Sequence, residues 1–272
     1  MVNVIDRDTV MCISLAARPG NHGNRFHNFL YAELGLNYVY KSFTSSDIGA
    51  TIGGIRSMGI RGAAVSMPYK ESCMQFLDSI DPSAAAIDSV NTIVNDGGAL
   101  TGHNTDYLAI RTMLVEHQVS PHQDVAVLGA GGMAKAVVAA LRDLGFARVT
   151  VVARTLERGR ALAEHYGFQA VTALGTMRPA VLVNASPVGM TGGPEAEDLA
   201  FGEEVVRAAS TVLDVVYLPS ETPLTRFAAS LGHTVLRGDE VMRLQALEQF
   251  VLYTGVRPTD EQIDAAEEYA SA

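Results

Sequence analysis

The chain has 272 residues, 48% hydrophobic and 18% charged, with a formal net charge of -10. This balance excludes a disordered polyelectrolyte, and the acidity argues against a nucleic-acid surface because no Lys/Arg stripe offsets it. The length leaves one large domain or two open.

In chain order, VMCISLA (10–16) reads as a buried strand and NRFHNFLYAEL (24–34) as a helix. NYVYKSF (37–43) reads as a strand, and SSDIGATIGGIRSM (45–58) opens on a Ser/Asp cap and reads as a helix. IRGAAVSM (60–67) is a third strand, and KESCMQFLDSI (70–80) a helix closed by Pro82. SVNTIVN (89–95) and ALTGHN (99–104) flank Asp96-Gly97-Gly98, a hairpin signal. TDYLAIRTMLVEHQV (105–119) is an amphipathic helix, and SPHQ (120–123) marks a domain boundary.

After that boundary the pattern restarts as strand (DVAVLG), helix (MAKAVVAALRDLG), strand (RVTVVAR), helix (ERGRALAEHYG) and two further strands (AVLVNAS and TVLDVVY). Strands alternating with helices imply a parallel sheet with crossover helices. Glu221-Thr-Pro223 starts another helix, and two helices close the chain. The expected architecture is α/β with two domains. An N-terminal substrate domain spans 1–119, with helices 239–272 packing back on it, and a Rossmann-type dinucleotide domain spans 120–238.

Cys12 and Cys73 are the only cysteines, and neither a CxxC nor a zinc-like Cys/His spacing occurs. The expectation is a reducing, cytoplasmic setting and no metal. The N-terminus MVNVIDRDTV lacks the pattern of a signal peptide, and no apolar run approaches the ~18 residues of a membrane span.

The sharpest motif is VAVLGAGGMAKAVVAAL (125–141). Gly129, Ala130, Gly131, Gly132, Met133 and Ala134 follow a strand and open a helix. Glycine allows a tight turn and close backbone approach to a diphosphate, which the helix N-terminus favours. Ala134 stands where the usual third glycine falls. About 20 residues on, where a ribose-reading residue is expected, Arg154 and Thr155 occur, with Arg158 one turn later. An arginine pairs with a 2′-phosphate that an Asp or Glu would repel, so the cofactor expected is NADP rather than NAD.

On the first half, Ser14, Ser66 with Lys70, Asn91-Thr92 and Asn104-Thr105-Asp106 fall at or just past strand ends, where open α/β sheets bind ligands. Hydroxyls and amides with one ammonium and one carboxylate suit a small polyhydroxylated acid. Hydride transfer to a carbonyl needs a proton donor, and Lys70 with Asp106 are the candidates. Tyr217 lies just past a later strand end. His27 falls mid-helix among apolar neighbours and reads as structural.

The segments GAAVSMPYK (62–70), VNT (90–92), NTD (104–106), GAGGMAKA (129–136), NASPVGM (184–190), DVVYLP (214–219) and GDEVMRLQ (238–245) occur in an order that resembles the shikimate dehydrogenase family. The resemblance implies reversible oxidation of a ring hydroxyl of shikimate with NADP as acceptor. It implies Lys70 and Asp106 as the catalytic pair. Ser14, Ser66, Asn91, Tyr217 and Gln245 become substrate contacts, Arg154 and Thr155 the 2′-phosphate element, and Met190 a residue near the nicotinamide. A monomer or homodimer is expected, with a ring acid as the partner and neither nucleic acid nor membrane.

Departures bear on the substrate. Where the family typically has Ser-x-Ser, Ser14-Leu15-Ala16 lacks one hydroxyl, and Ala64 replaces an asparagine. Ala153 replaces the asparagine of Asn-Arg-Thr. The expectation is therefore a divergent enzyme with weak shikimate turnover, or one acting on quinate or an amino-substituted analogue. Arg18, near Ser14, is a candidate replacement contact. The competing readings are a non-catalytic NADP-binding sensor on the same fold and a methylene-tetrahydrofolate-type dehydrogenase, against which VSMPYK and NTD argue.

Overall fold

The computed structural model describes residues 5–271. They form two compact α/β units, 5–105 with 243–271, and 106–242. The expected boundary at 119/120 thus lies within the second unit, because helix Thr105–Glu116 clusters with the residues that follow it.

The first unit opens with β1 (Val10–Leu15), α1 (His22–Glu33), β2 (Tyr38–Phe43), α2 (Ile48–Ser57) and β3 (Gly62–Val65). Asp47 caps α2 by accepting the Ala50 N–H, as the Ser/Asp signal implied. The predicted helix over 70–80 is not continuous. Its place is taken by a short α3 (Tyr69–Ser72), a 3₁₀ turn (Met74–Phe76) and β4 (Ser79–Ile80). The apolar spacing of Tyr69, Cys73 and Met74 is helical, but a tertiary attraction wins further on. Asp78 donates its N–H to the Leu100 carbonyl at 3.0 Å, its carboxylate accepts from the Leu100 N–H at 2.7 Å and from Arg56 at 2.6 Å, and the chain joins the sheet. Next come α4 (Pro82–Ala85), β5 (Thr92–Asp96) and β6 (Ala99–His103). The β5–β6 turn needs left-handed backbone at Gly97 and Gly98, with φ of +62° and +98°.

The first sheet runs β2-β1-β3-β5-β6-β4. The pairs β1–β2, β1–β3 and β4–β6 are parallel, and β3–β5 and β5–β6 antiparallel. Its core includes Ile13, Leu15, Ile52, Ile55, Val65 and Ile93. On α1, Asn28 accepts from the Tyr40 N–H and donates to the Tyr40 carbonyl, both at 2.9 Å, while Asn24 accepts from the Ser42 N–H at 2.9 Å. Beside them His27 is buried, stacked on Tyr40 with centroids 4.3 Å apart. Burial pushes its imidazole down to about 3, so it is neutral packing, in line with the structural reading.

The second unit comprises α5 (Thr105–Glu116), whose first residue is the last of the first unit, then β7 (Val125–Leu128), α6 (Gly132–Asp143), β8 (Val149–Val152), α7 (Leu156–His165), β9 (Gln169–Val171), β10 (Val181–Asn184), α8 (Glu203–Ala208), β11 (Thr211–Asp214), α9 (Pro223–Ser230) and β12 (Thr234–Leu236). Its sheet is wholly parallel in the order β12-β11-β10-β7-β8-β9, the doubly wound arrangement whose order reverses at β7/β10. The short β9, β12 and α8 were not anticipated. β8, β10 and β11 are buried at every position, as strands covered on both faces must be.

α10 (Gly238–Thr254) and α11 (Asp260–Ser271) complete the chain. α11 packs on α1 through His22–Glu267 at 2.9 Å and the Phe29 and Tyr269 rings, 5.4 Å apart. Arg61 ties the end of α10 to the sheet, donating to the Tyr253 and Asn95 carbonyls at 2.9 Å each. Among the described residues, no helix is long and apolar enough to cross a membrane.

Candidate functional site

The polar groups of the first unit gather where β1 and β3 end. Ser66 donates its N–H to the Leu15 carbonyl at 2.8 Å, and Ala17 donates to the Met67 carbonyl at 3.2 Å. The segment Ser66–Lys70 is thereby sewn to the exit of β1. Tyr69 anchors it further, donating its hydroxyl to the Ser45 carbonyl at 2.6 Å. Lys70, half-buried on α3, accepts the Val90 N–H on its own carbonyl at 2.9 Å, which brings it beside Asn91.

Asn91 is 3% exposed. Its Oδ1 accepts from the Thr92 hydroxyl at 2.8 Å, the Thr105 N–H at 2.8 Å and the Thr105 hydroxyl at 3.2 Å. A backbone N–H can only donate, so this contact fixes the amide orientation and leaves Nδ2 as the end able to serve a ligand. Thr105 Oγ1 also reaches Gln245 Oε1 on α10 at 3.5 Å. Ser66, Lys70, Asn91 and Gln245 are thus linked through a few bonds, and Asp106 follows Thr105 directly, half-buried in the first turn of α5.

Strand register adds what the motifs alone do not give. Ser42, Ser14, Ala64, Thr92 and His103 are successive cross-strand partners, so they form one row on one face of the sheet. Ser14 donates to the Ser42 hydroxyl at 2.9 Å. Ala64 is the single apolar gap in that row. Sequence reasoning did not single out Ser42; the alternation of 37–43 points to it, but only pairing reveals its neighbour. Arg18 is exposed in the loop after β1.

The second unit holds a cavity of about 720 Å³ at the carboxyl ends of β7 and β8. Gly129, Ala130, Gly131, Arg154, Thr155 and Arg158 line it. Gly129 has φ +121°, and a Cβ there would lie 2.5 Å from the Ala185 carbonyl oxygen, so no larger residue fits the turn. Gly131 and Gly132 have open space where a Cβ would project, and Gly131, the N-cap of α6, makes no side-chain cap bond. Unobstructed amides at the start of a 12-residue helix suit a diphosphate, so these residues fit a dinucleotide. Met133 is half-buried in the first turn of α6. Ala134 is fully buried, at the position where close helix packing asks for a small residue. Met190 is 42% exposed in the loop after β10.

Two carboxylates of this unit were not anticipated as site residues. Asp214, wholly buried at the end of β11, accepts from Asn184 Nδ2 at 3.0 Å, the Val216 N–H at 3.1 Å and the Thr222 hydroxyl at 2.7 Å. Burial pushes its carboxyl up to about 6 against the pull of these donors. The knot fixes the start of the loop that carries half-buried Tyr217. Glu195 lines the dinucleotide cavity and lies 3.5 Å from Arg154.

Two family descriptions match the chain: the shikimate dehydrogenase substrate binding domain over residues 23–93, and shikimate / quinate 5-dehydrogenase over 113–186. A shikimate dehydrogenase-like protein of Haemophilus influenzae is 49% identical over 98% of each chain. The chain belongs to the shikimate dehydrogenase family. Shikimate dehydrogenase (NADP(+)) of Pyrococcus abyssi is 34% identical over 91% of this chain and 93% of its own. A solved shikimate 5-dehydrogenase of Thermus thermophilus, in complex with NADP(H) and shikimate, superposes with a TM-score of 0.81 at 30% identity, covering 96% of this chain and 99% of that one. The family is one of oxidoreductases, and the two-domain α/β class expected from sequence holds. Among the described residues no cluster of His, Cys, Asp and Glu has the makings of a metal site.

Proposed function

We propose that the chain is an NADP-dependent dehydrogenase that reversibly oxidises a ring hydroxyl of shikimate or of a closely related ring acid, such as quinate or an amino-substituted analogue. The observation that carries this reading is the bonded network joining Ser66, Lys70, Asn91 and Gln245 at the exits of β1 and β3. It fixes the backbone that carries Ser66 and Lys70 and orients the Asn91 amide, a framework that supports recognition of a hydroxylated ring. The names of the Pyrococcus and Thermus relatives agree with it.

NADP, when bound, supplies the hydride acceptor. Gly129 to Met133 hold the diphosphate through backbone amides, and Ala134 lets α6 pack close enough for them to do so. Arg154, Thr155 and Arg158 would receive the 2′-phosphate, and Met190 would serve the nicotinamide end. Lys70 takes the proton from the ring hydroxyl as a neutral amine while the alcohol is oxidised, becoming an ammonium, and that ammonium gives the proton to the carbonyl oxygen in the reverse direction. Asp106 orients the Lys70 ammonium. Ser14, Ser66, Asn91 Nδ2, Tyr217 and Gln245 bond the carboxylate and remaining hydroxyls.

The gaps at Ala16 and Ala64 remove two partners from that set, each worth ~1–3 kcal/mol if nothing replaces it. Weak turnover of shikimate itself is the consequence. Ser42, bonded to Ser14, is a hydroxyl in the same row able to recover part of the loss.

The test is reduction of NADP and NAD by the purified protein with shikimate and quinate each titrated, beside Lys70→Ala. Turnover that falls ~10²–10⁴-fold in the variant, with folding intact, supports the assignment. Equal kcat in the two proteins refutes the role of Lys70. Tight NADPH binding without turnover of any ring acid favours a sensor over a catalyst.

A further inference from the structure

The charged lining of the dinucleotide cavity is balanced in a way that the arginines alone do not suggest. Four charged residues line it: Arg154 and Arg158, and Glu195 and Asp198. Two cations thus face two anions in the pocket where a 2′-phosphate, carrying close to two negative charges, would sit.

The two members of the Arg154–Glu195 pair are held unequally. Arg154 is 80% exposed along its side chain and Glu195 only 32%. The backbone of Glu195 is pinned, its carbonyl accepting the Gly189 N–H at 2.9 Å and the Asp198 N–H at 3.2 Å. The arginine is the arm with room to swing. The carboxylate has an origin fixed in the cavity wall, so it stays beside the phosphate site wherever the guanidinium goes.

We propose that Glu195 is a specificity-determining residue of this site: its carboxylate competes with a 2′-phosphate for Arg154 and so narrows the preference for NADP over NAD. With an unphosphorylated ribose, Glu195 keeps Arg154 neutralised and the site pays no penalty for an unmatched cation. With a phosphorylated ribose, Arg154 must be shared, and the remaining carboxylate repels the phosphate. This rests on the NADP reading given above, and the experiment separates the two.

Wild type, Glu195→Gln, Arg154→Gln and the double variant are titrated calorimetrically with adenosine 2′,5′-bisphosphate and with ADP, at low and at moderate salt. Glutamine has the size of glutamate and the Arg154 side chain is 80% exposed, so the fold is retained. Glu195→Gln tightens the bisphosphate about fivefold at low salt and moves ADP less than twofold, and the gain shrinks as salt rises. In the Arg154→Gln background the gain is smaller, because the shared guanidinium is gone. Unchanged affinities in Glu195→Gln, or an equal gain for both nucleotides, overturns the inference while leaving the NADP site standing. A wild type that binds neither nucleotide overturns the NADP reading itself, and this inference with it.

Discussion

The buried Asp214 offers a quantitative test of the second unit. Its carboxyl is pushed from its ordinary value of 3.8 to about 6 by burial, which outweighs the three donors around it. Between those values the native carboxyl keeps its proton while the unfolded chain has lost it. The native state therefore binds more protons, and this group's contribution to stability falls as pH rises through the window. The rise is worth about 3 kcal/mol, fully lost above about pH 6. Asp214→Asn removes the charge and keeps an acceptor for Asn184 and Val216, and the Thr222 hydroxyl can turn to accept from the new amide. The assay is urea unfolding followed by circular dichroism at a series of pH values. Carboxylates held below their ordinary range, such as Asp81 and Asp143, act in the opposite direction but are common to both proteins. They cancel in the difference. That difference, variant minus wild type, should climb by about 3 kcal/mol from about pH 4 to about pH 6.5 and then flatten. A flat difference, or one that falls, refutes a raised carboxyl at Asp214.

Arg154→Asp adds a third carboxylate to the cavity. NADPH binding, read by nucleotide fluorescence, should weaken at least tenfold while NADH changes by only a few fold; parallel losses would mean that the site was damaged generally. Asn28→Ala strips the Tyr40 N–H and carbonyl of their partners, and about 1–3 kcal/mol should disappear from the urea unfolding of the first unit. An unchanged midpoint would show that solvent replaces both bonds without cost.

What the sequence reveals depends on how local the determinant is. The glycine turn at 129–132 is legible because its constraint, a positive φ beside Ala185, acts on the residue itself and leaves glycine in the chain. Asn91 and Lys70 are legible from the segments that contain them, although the bonds joining them through Val90 and Thr105 are not. Ser42 becomes meaningful only when β2 is laid against β1 in register. Glu195 lies 41 residues beyond Arg154, in an irregular loop with no periodicity to betray its direction. The helix expected over 70–80 fails for a related reason: the bonds of Asp78 with Arg56 and Leu100 span 22 residues each, and no local window contains them.

The two asparagines of α1 carry a consequence for assembly. A carboxamide is chemically a peptide group on a short stem, with one donor side and one acceptor side. Four residues along a helix advance ~6 Å, and two residues along a strand ~6.6 Å. Asn24 and Asn28 are four apart, and they meet Ser42 and Tyr40, which are two apart. The two repeats are commensurate over this one step, so the helix presents to the edge of β2 what a seventh strand would have presented. That edge of the sheet is occupied by its own chain. A second molecule cannot add a strand there without first displacing the helix, so no dimer of this protein is built by extending the sheet at this edge.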